Sequence, residues 1–250
     1  MEVVIKKVVD WLKKYSEDNN NFCFVVGISG GIDSATVSTL CAETGISTHV
    51  VSLPIHQNTD QIELANQHIK DLKVKYNNII PHYIDLSNNF DMIKNTLINY
   101  NNPLSWANTK SRLRMVTLYH IASFNNGLVV GTGNKIEDFG IGFFTKYGDG
   151  GVDISPIADF TKTEVRKMAK ILGVNEQIIK VKPTDGLWDD DRTDEDQIGA
   201  TYEELEWAMN YLENGHNYSL SERQNNILNI SNKFHAANMH KMISIPIFKK

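Results

Sequence analysis

Cysteine is scarce in this chain, with only Cys23 and Cys41 among 250 residues. Two thiols cannot staple a core of this size, which excludes a disulfide scaffold and points to a reducing, cytoplasmic setting. No apolar run approaches the roughly 18–20 residues that a membrane span requires, so no membrane partner is expected. The opening Met1-Glu2-Val3-Val4-Ile5-Lys6-Lys7 lacks the charged-then-apolar order of a signal peptide. Positive charge is also short. A net charge of −5 gives no basic field for a phosphate backbone, and no nucleic-acid partner is expected. None of the eight histidines falls in an HExxH or Cys/His zinc spacing. Repeats, low-complexity tracts and linkers are missing too, which favours one domain over residues 1–250.

What is present is a strand–helix alternation. Val4, Ile5, Val8, Val9 and Leu12 recur at helical spacing, and Phe22–Gly27 is a short apolar run typical of a strand buried on both faces. A glycine loop precedes a helix over about 34–44, with Gly45 at its end. Thr48–Leu53, Asn78–Asp85 and Gly127–Gly131 read as three more strands, separated by helices opening at Asn58, Ser87 and Trp106. Asn58 with Gln61, Thr161 with Glu164, Thr201 with Glu204 and Ser219 with Glu222 have capping-box spacing. Such alternation predicts an α/β fold with a parallel sheet and right-handed crossovers. Thr132–Asp159 holds six glycines and no sustained period and reads as mostly functional loop, and Pro183–Glu195 reads as irregular and acidic.

The most informative segment is Gly27-Ile28-Ser29-Gly30-Gly31-Ile32-Asp33-Ser34, between the first strand and its helix. Glycines let backbone approach a ligand closely, and the helix start offers unpaired N–H groups and a positive dipole end, together a phosphate cradle. The spacing is neither a Walker A loop nor the G-x-G-x-x-G dinucleotide fingerprint. An ordinary glycine turn capped by Ser34 is the bland alternative.

The Ser29–Ser34 stretch resembles the pyrophosphate-binding loop of N-type ATP pyrophosphatases, which adenylate a substrate and release pyrophosphate. Phe143-Phe144-Thr145-Lys146-Tyr147-Gly148-Asp149-Gly150-Gly151 closely resembles a stretch found in NAD synthetases. Gly131-Thr132 through Glu137, Pro156, Thr161-Lys162, Lys182-Pro183-Thr184 and His240-Lys241 follow in that family's order. The resemblance covers nearly the whole chain and is to the short, ammonia-using type. It implies a single Rossmann-like parallel sheet with helices on both faces, of the adenine nucleotide alpha-hydrolase type, in strand order 3-2-1-4-5. It also implies a homodimer, and ATP, deamido-NAD and ammonia as ligands.

By the same resemblance, Gly27–Ser34 (Ile28 and Ile32 included), Thr132, Lys162 and Thr184 contact ATP, and Asp33 and Glu137 hold Mg²⁺. Arg112, Lys146, Asp153, His240 and Lys241 contact deamido-NAD. Physical readings stand beside these. Asp33 could simply cap a helix, and Glu137 could be a solvated acid. Lys162 sits in the first turn of a helix, a poor place for a cation unless an anion is near, which supports a phosphate role. Arg112 and Arg114 lie two apart on a helix and cannot point the same way; the motif selects Arg112, leaving Arg114 for a salt bridge. Cys23 and Cys41 read as core hydrophobes, so ammonia and not glutamine is the expected nitrogen source. Asp153, or an acid among Asp189–Asp191, could serve as general base. A tRNA- or base-modifying pyrophosphatase and a noncatalytic ATP-binding module are the alternatives.

Overall fold

Four short strands, β1 (Cys23–Gly27), β2 (Ser47–Ser52), β3 (Ile79–Tyr83) and β4 (Gly127–Val129), pair in parallel in the order β3-β2-β1-β4. This computed structural model describes residues 1–184, 186–187, 193–215 and 219–250. Phe24 lies opposite Thr48 and Leu128, so β1 is hydrogen-bonded on both sides. Phe24 and Val26 face one helical layer while Cys23 and Val25 face the other, so every β1 side chain from 23 to 26 is apolar.

The first layer packs α1 (Glu2–Asp18), α2 (Ile32–Glu43), α3 (Thr59–Lys75), α6 (Lys162–Leu172) and α7 (Glu176–Lys180) through Leu12, Leu40, Ile69, Met168 and Ile178. The second packs α4 (Ser87–Thr96) and α5 (Pro103–Phe124) through Phe90, Trp106 and Ala122. Beyond β4, α8 (Asp194–Ile198), α9 (Tyr202–Asn214) and α10 (Glu222–Met242) enclose a third cluster around Tyr202, Leu205 and Ile227. The chain steps from β1 through β2 to β3 on one side and returns to β4 on the other. Winding therefore reverses between β1 and β4, and the loops after these two strands open on one crevice.

Several local expectations are corrected. The fifth strand is reduced to a single parallel bridge, Val130 with Ile154. Asp153 N–H donates to the Val129 carbonyl and Gly131 N–H to that of Ile154, but Pro156 follows at once and has no N–H with which to extend a ladder. The presumed loop 132–159 contains a six-residue π-helical turn, Ile136–Ile141. Its wider i→i+5 hydrogen bonding leaves no 3.6-residue signature to find. The boxes at Thr161 and Thr201 form, but the last helix starts two residues late, on a Ser221–Gln224 box. Asn58 caps α3 by accepting from the Asp60 N–H, while the Gln61 side chain meets Gln57. In the 183–195 stretch, residues 185 and 188–192 lie outside the described ones, and α8 begins at Asp194.

Candidate active site

The loop from Gly27 to Ser34 is closed by its own hydroxyls. Ser34 Oγ donates to the Gly31 carbonyl (3.0 Å) and accepts from the Ser29 N–H (3.2 Å). Ser29 Oγ accepts from the Gly31 N–H (3.2 Å) and lies 3.1 Å from Ser34 Oγ. Gly30 adopts φ +86°, and a Cβ there would lie 2.7 Å from the Gln61 carbonyl of α3, so only glycine fits. Gly31 is the N-cap of α2 without any side-chain cap, which leaves the positive end of the helix at the crevice. Asp33 is thus not the cap that the sequence allowed. It lies inside the first turn, and its carboxylate goes elsewhere.

That carboxylate meets Lys162 and, through it, Glu137. Lys162 Nζ lies 2.5 Å from Asp33 Oδ2 and 3.0 Å from Glu137 Oε1, and its side chain is 2% exposed. Three elements supply the cluster: α2, the π-helical turn and α6. The Thr161–Glu164 capping box fixes the start of α6, and Asn134 Oδ1 accepts from the Ile136 and Glu137 N–H groups, fixing the π turn. Burial alone would lower the lysine, but the two carboxylates outweigh it and keep Nζ charged. Burial raises Asp33 to about 6, with Lys162 opposing and Glu137 adding to the shift. Burial also acts to raise Glu137, but Lys162 and the Tyr202 hydroxyl together hold it below its ordinary value. One ammonium between two carboxylates leaves the cluster one negative charge in excess, and Asp33 is the group that relieves it. Next door, burial and the Glu137, Asp149 and Asp33 charges push Asp138 up to about 8, so it is largely protonated at neutral pH.

These groups line a cavity of about 560 Å³, in the range of a small-ligand site. All eight residues of Gly27–Ser34 lie on its wall, with Thr132, Glu137, Lys162, Thr184 and Lys241. Arg112, Lys146, Asp153 and His240 do not. Three of them nevertheless form one chain at the surface: Arg112 donates to the Lys146 carbonyl (3.2 Å), and Lys146 Nζ to that of His240 (2.7 Å). Lys241 Nζ, next in sequence, donates to the Phe144 carbonyl on the cavity wall. Asp153 stands apart. Its oxygens accept from the Tyr119 hydroxyl (2.9 Å) and the Val129 N–H (2.8 Å), which ties it to β4. Asp189, Asp190 and Asp191 lie outside the described residues.

Sequence reasoning missed several wall residues. Arg114 reaches the cavity and donates to the Leu53 carbonyl (2.9 Å). Asp149 accepts from Ser111 Oγ (2.7 Å) and the Thr145 N–H, pinning the glycine-rich turn to α5. Asp138 packs so close to Gly133 that a Cβ there would lie 2.2 Å from its oxygens. Asp149 and Gly133 lie within segments that drew notice as motifs, and the motif passes over Arg114 in favour of Arg112; nothing in the local pattern marks Tyr202.

Two oxygens of the cluster remain available to a cation. Asp33 Oδ1 is buried with no partner at hydrogen-bond geometry, and both bonds received by Glu137 fall on Oε1. No three acidic, His or Cys side chains among the described residues form a cage able to hold an ion alone. The donor set fits a hard cation such as Mg²⁺ that takes one or two carboxylates and completes its shell with phosphate and water.

A parallel sheet with a glycine loop and paired carboxylates at its switch point defines a nucleotide-binding α/β protein. The pattern of the NAD synthase family matches residues 4–249, and the chain belongs to that family. It is 38% identical to the NH(3)-dependent NAD(+) synthetase of Alkaliphilus metalliredigens over an alignment 259 positions long, gaps included, covering 99% of each chain. Among solved structures it resembles the NMN synthetase of Francisella tularensis, with TM-score 0.88, 31% identity and coverage of 100% and 98%. It also resembles the NH3-dependent NAD synthetase of Campylobacter jejuni, with TM-score 0.81, 25% identity and coverage of 99% and 98%. No helix among the described residues is long and apolar enough to cross a membrane.

Proposed function

We propose that the crevice makes NAD from deamido-NAD, ATP and ammonia in two displacements. In the first, a nicotinate carboxylate oxygen attacks the α-phosphorus and the bond to pyrophosphate breaks, giving an acyl adenylate. In the second, ammonia attacks the acyl carbon, the bond to AMP breaks and a proton leaves with the solvent. The Asp33–Lys162–Glu137 cluster beside the glycine loop, in a chain of this family, carries the reading. A free carboxylate is a poor electrophile, so adenylation supplies the leaving group that oxide cannot be.

The chain contributes position and charge, with no covalent nucleophile. The Gly27–Ser34 backbone and Thr132, Lys162 and Thr184 take ATP. Asp33 and Glu137 would hold Mg²⁺, which when bound offsets the charge on the phosphates. Arg112, Lys146, His240 and Lys241 form the basic rim for the dinucleotide, and Asp153, held by Tyr119 and the Val129 N–H, is a further contact to it. Cys23 and Cys41 are buried, and burial raises both thiols, so neither suits glutamine hydrolysis. We assign the enzyme, as a member of this family, to the cytoplasm and to a homodimer.

Pyrophosphate release and NAD formation, followed with ammonium or ammonia-free glutamine, test the reading. Ammonium should support both and glutamine neither. ATP binding without turnover would leave only a nucleotide-binding module. Because the Francisella relative is described as an NMN synthetase, nicotinate mononucleotide belongs in the same assay. Preference for the dinucleotide is expected, and preference for the mononucleotide would overturn the substrate assignment. A second expectation separates the two arginines. Arg112→Ala should raise the KM for deamido-NAD about tenfold or more, as loss of a charge-assisted contact does. Arg114→Ala, losing its hold on Leu53, should show mainly as a lower Tm. Equal effects on KM would refute the choice of Arg112.

A further inference from the structure

We propose that Tyr202 is a positioning residue for the candidate metal carboxylates, holding Glu137 and supporting Lys162 so that Glu137 Oε2 is presented to the cation that accompanies ATP. This rests on the reading of Asp33 and Glu137 as metal ligands.

Tyr202 is the first residue of α9 and is completely buried. Its place is set from three directions. The Thr201–Glu204 box fixes the helix start, the Tyr202 N–H donates to Glu195 Oε1 (3.0 Å), and the ring sits in the third core cluster. From there the hydroxyl donates to Glu137 Oε1 (2.5 Å) and lies 3.1 Å from Asp194 Oδ2. The same ring has Lys162 Nζ 4.6 Å from its centroid, a favourable cation–π distance. One side chain therefore touches two members of the cluster.

Glu137 needs such a support. It stands on a six-residue π-helical turn, whereas Asp33 and Lys162 stand in the first turns of α2 and α6. Its carboxylate receives hydrogen bonds from Lys162 and Tyr202, both to Oε1, and the buried Asn134 side chain also acts on it. When the ammonium turns towards a phosphate, the phenol still holds Oε1 and keeps Oε2 directed away from itself. Burial, with the Glu137 and Asp194 charges, holds the phenol far above its ordinary value, so it stays a donor. Core packing alone would be met by phenylalanine, and burying a hydroxyl has a cost that only a partner offsets. Outer partners of this kind commonly set how well a ligand binds its metal.

The test is Tyr202→Phe in the full chain, which keeps the ring. ATP binding is measured by calorimetry without deamido-NAD over a Mg²⁺ series, with Tm and steady-state kinetics alongside. The half-saturating Mg²⁺ for ATP binding should rise about tenfold. High Mg²⁺ should restore most of kcat, and the KM for deamido-NAD should not move. Tyr202→Leu, which loses the ring as well, should shift further. On a Glu137→Gln background, Tyr202→Phe should add no further shift, because it acts through that carboxylate. An unchanged Mg²⁺ midpoint, a loss uniform across Mg²⁺, or additive shifts in the double variant would overturn the proposal. No shift in Glu137→Gln alone would overturn the metal reading and this inference with it; a shift there but none in Tyr202→Phe would overturn this inference only. Should Tyr202→Phe fail to fold, the Glu137→Gln/Tyr202→Phe chain decides: folding supports the link between the two groups, and failure refutes it.

Discussion

Lys162→Met is expected to abolish turnover and to lower stability by about 3–5 kcal/mol, the cost of leaving buried charge without its partner. Methionine nearly matches the lysine stem in length, so packing against the Tyr202 ring changes little. The charge is what goes. Asp33 and Glu137 would face each other with no cation between them, on either side of the place Nζ now occupies at 2.5 and 3.0 Å. Both carboxyls would then hold protons more tightly in the folded state than in the unfolded one. Stability from a group whose folded pKa is raised is present at low pH and lost as pH rises through that pKa. The Tm gap between variant and wild type should therefore widen from pH 5 to pH 8. Mg²⁺ should narrow it, because an ion that binds only the folded state stabilises it by mass action. Thermal melting with and without Mg²⁺, beside a pyrophosphate assay, checks all three. Equal melting temperatures would mean that the ion cluster contributes nothing to the fold.

Asp33→Asn should behave in the opposite way towards stability while being as damaging to activity. The variant keeps the shape and removes one charge from the cation site, and turnover should fall about a hundredfold or more, as when a principal charge-stabilising group is lost. Partial rescue at raised Mg²⁺ or Mn²⁺ is expected. The helix start should not suffer, because Gly31 and not Asp33 is the N-cap of α2. Burial raises the Asp33 carboxyl from 3.8 to about 6, so its ionised form is disfavoured in the fold despite Lys162. Its stabilising contribution is complete below pH 3.8 and is lost as pH rises through about 6. Asn does not titrate. The variant should thus gain on the wild type between pH 4 and pH 7. A near-wild-type rate with unchanged metal dependence would remove Asp33 from the mechanism. A stability difference moving against the variant as pH rises would remove the electrostatic account.

Much of the scaffold was legible in the chain itself. A buried strand such as Phe24–Val26 has apolar side chains on both faces, and the boxes at Thr161 and Thr201 reach only three residues ahead. Gly30 is required by a local φ of +86°, and the cationic residue Lys162 at a helix start is a conflict visible in sequence. The π-helical turn and the one-residue remnant of a fifth strand were not legible. The first lacks a period, and the second depends on Ile154 meeting Val130 from elsewhere in the chain.

Sequence by itself therefore determined the parallel α/β sheet, the glycine loop and the family's motif residues, because backbone sterics and hydrogen-bond spacing act over a few neighbouring residues. Only the tertiary structure decided what those residues do to one another. Lys162 answers to Asp33 from 129 positions away, and Tyr202 reaches Glu137 across 65. Arg114 faces the cavity while Arg112 joins Lys146 and His240 outside it. The reason is physical: a buried group's charge is set by the water it loses and the partners it gains, and both come from elements that only folding brings together.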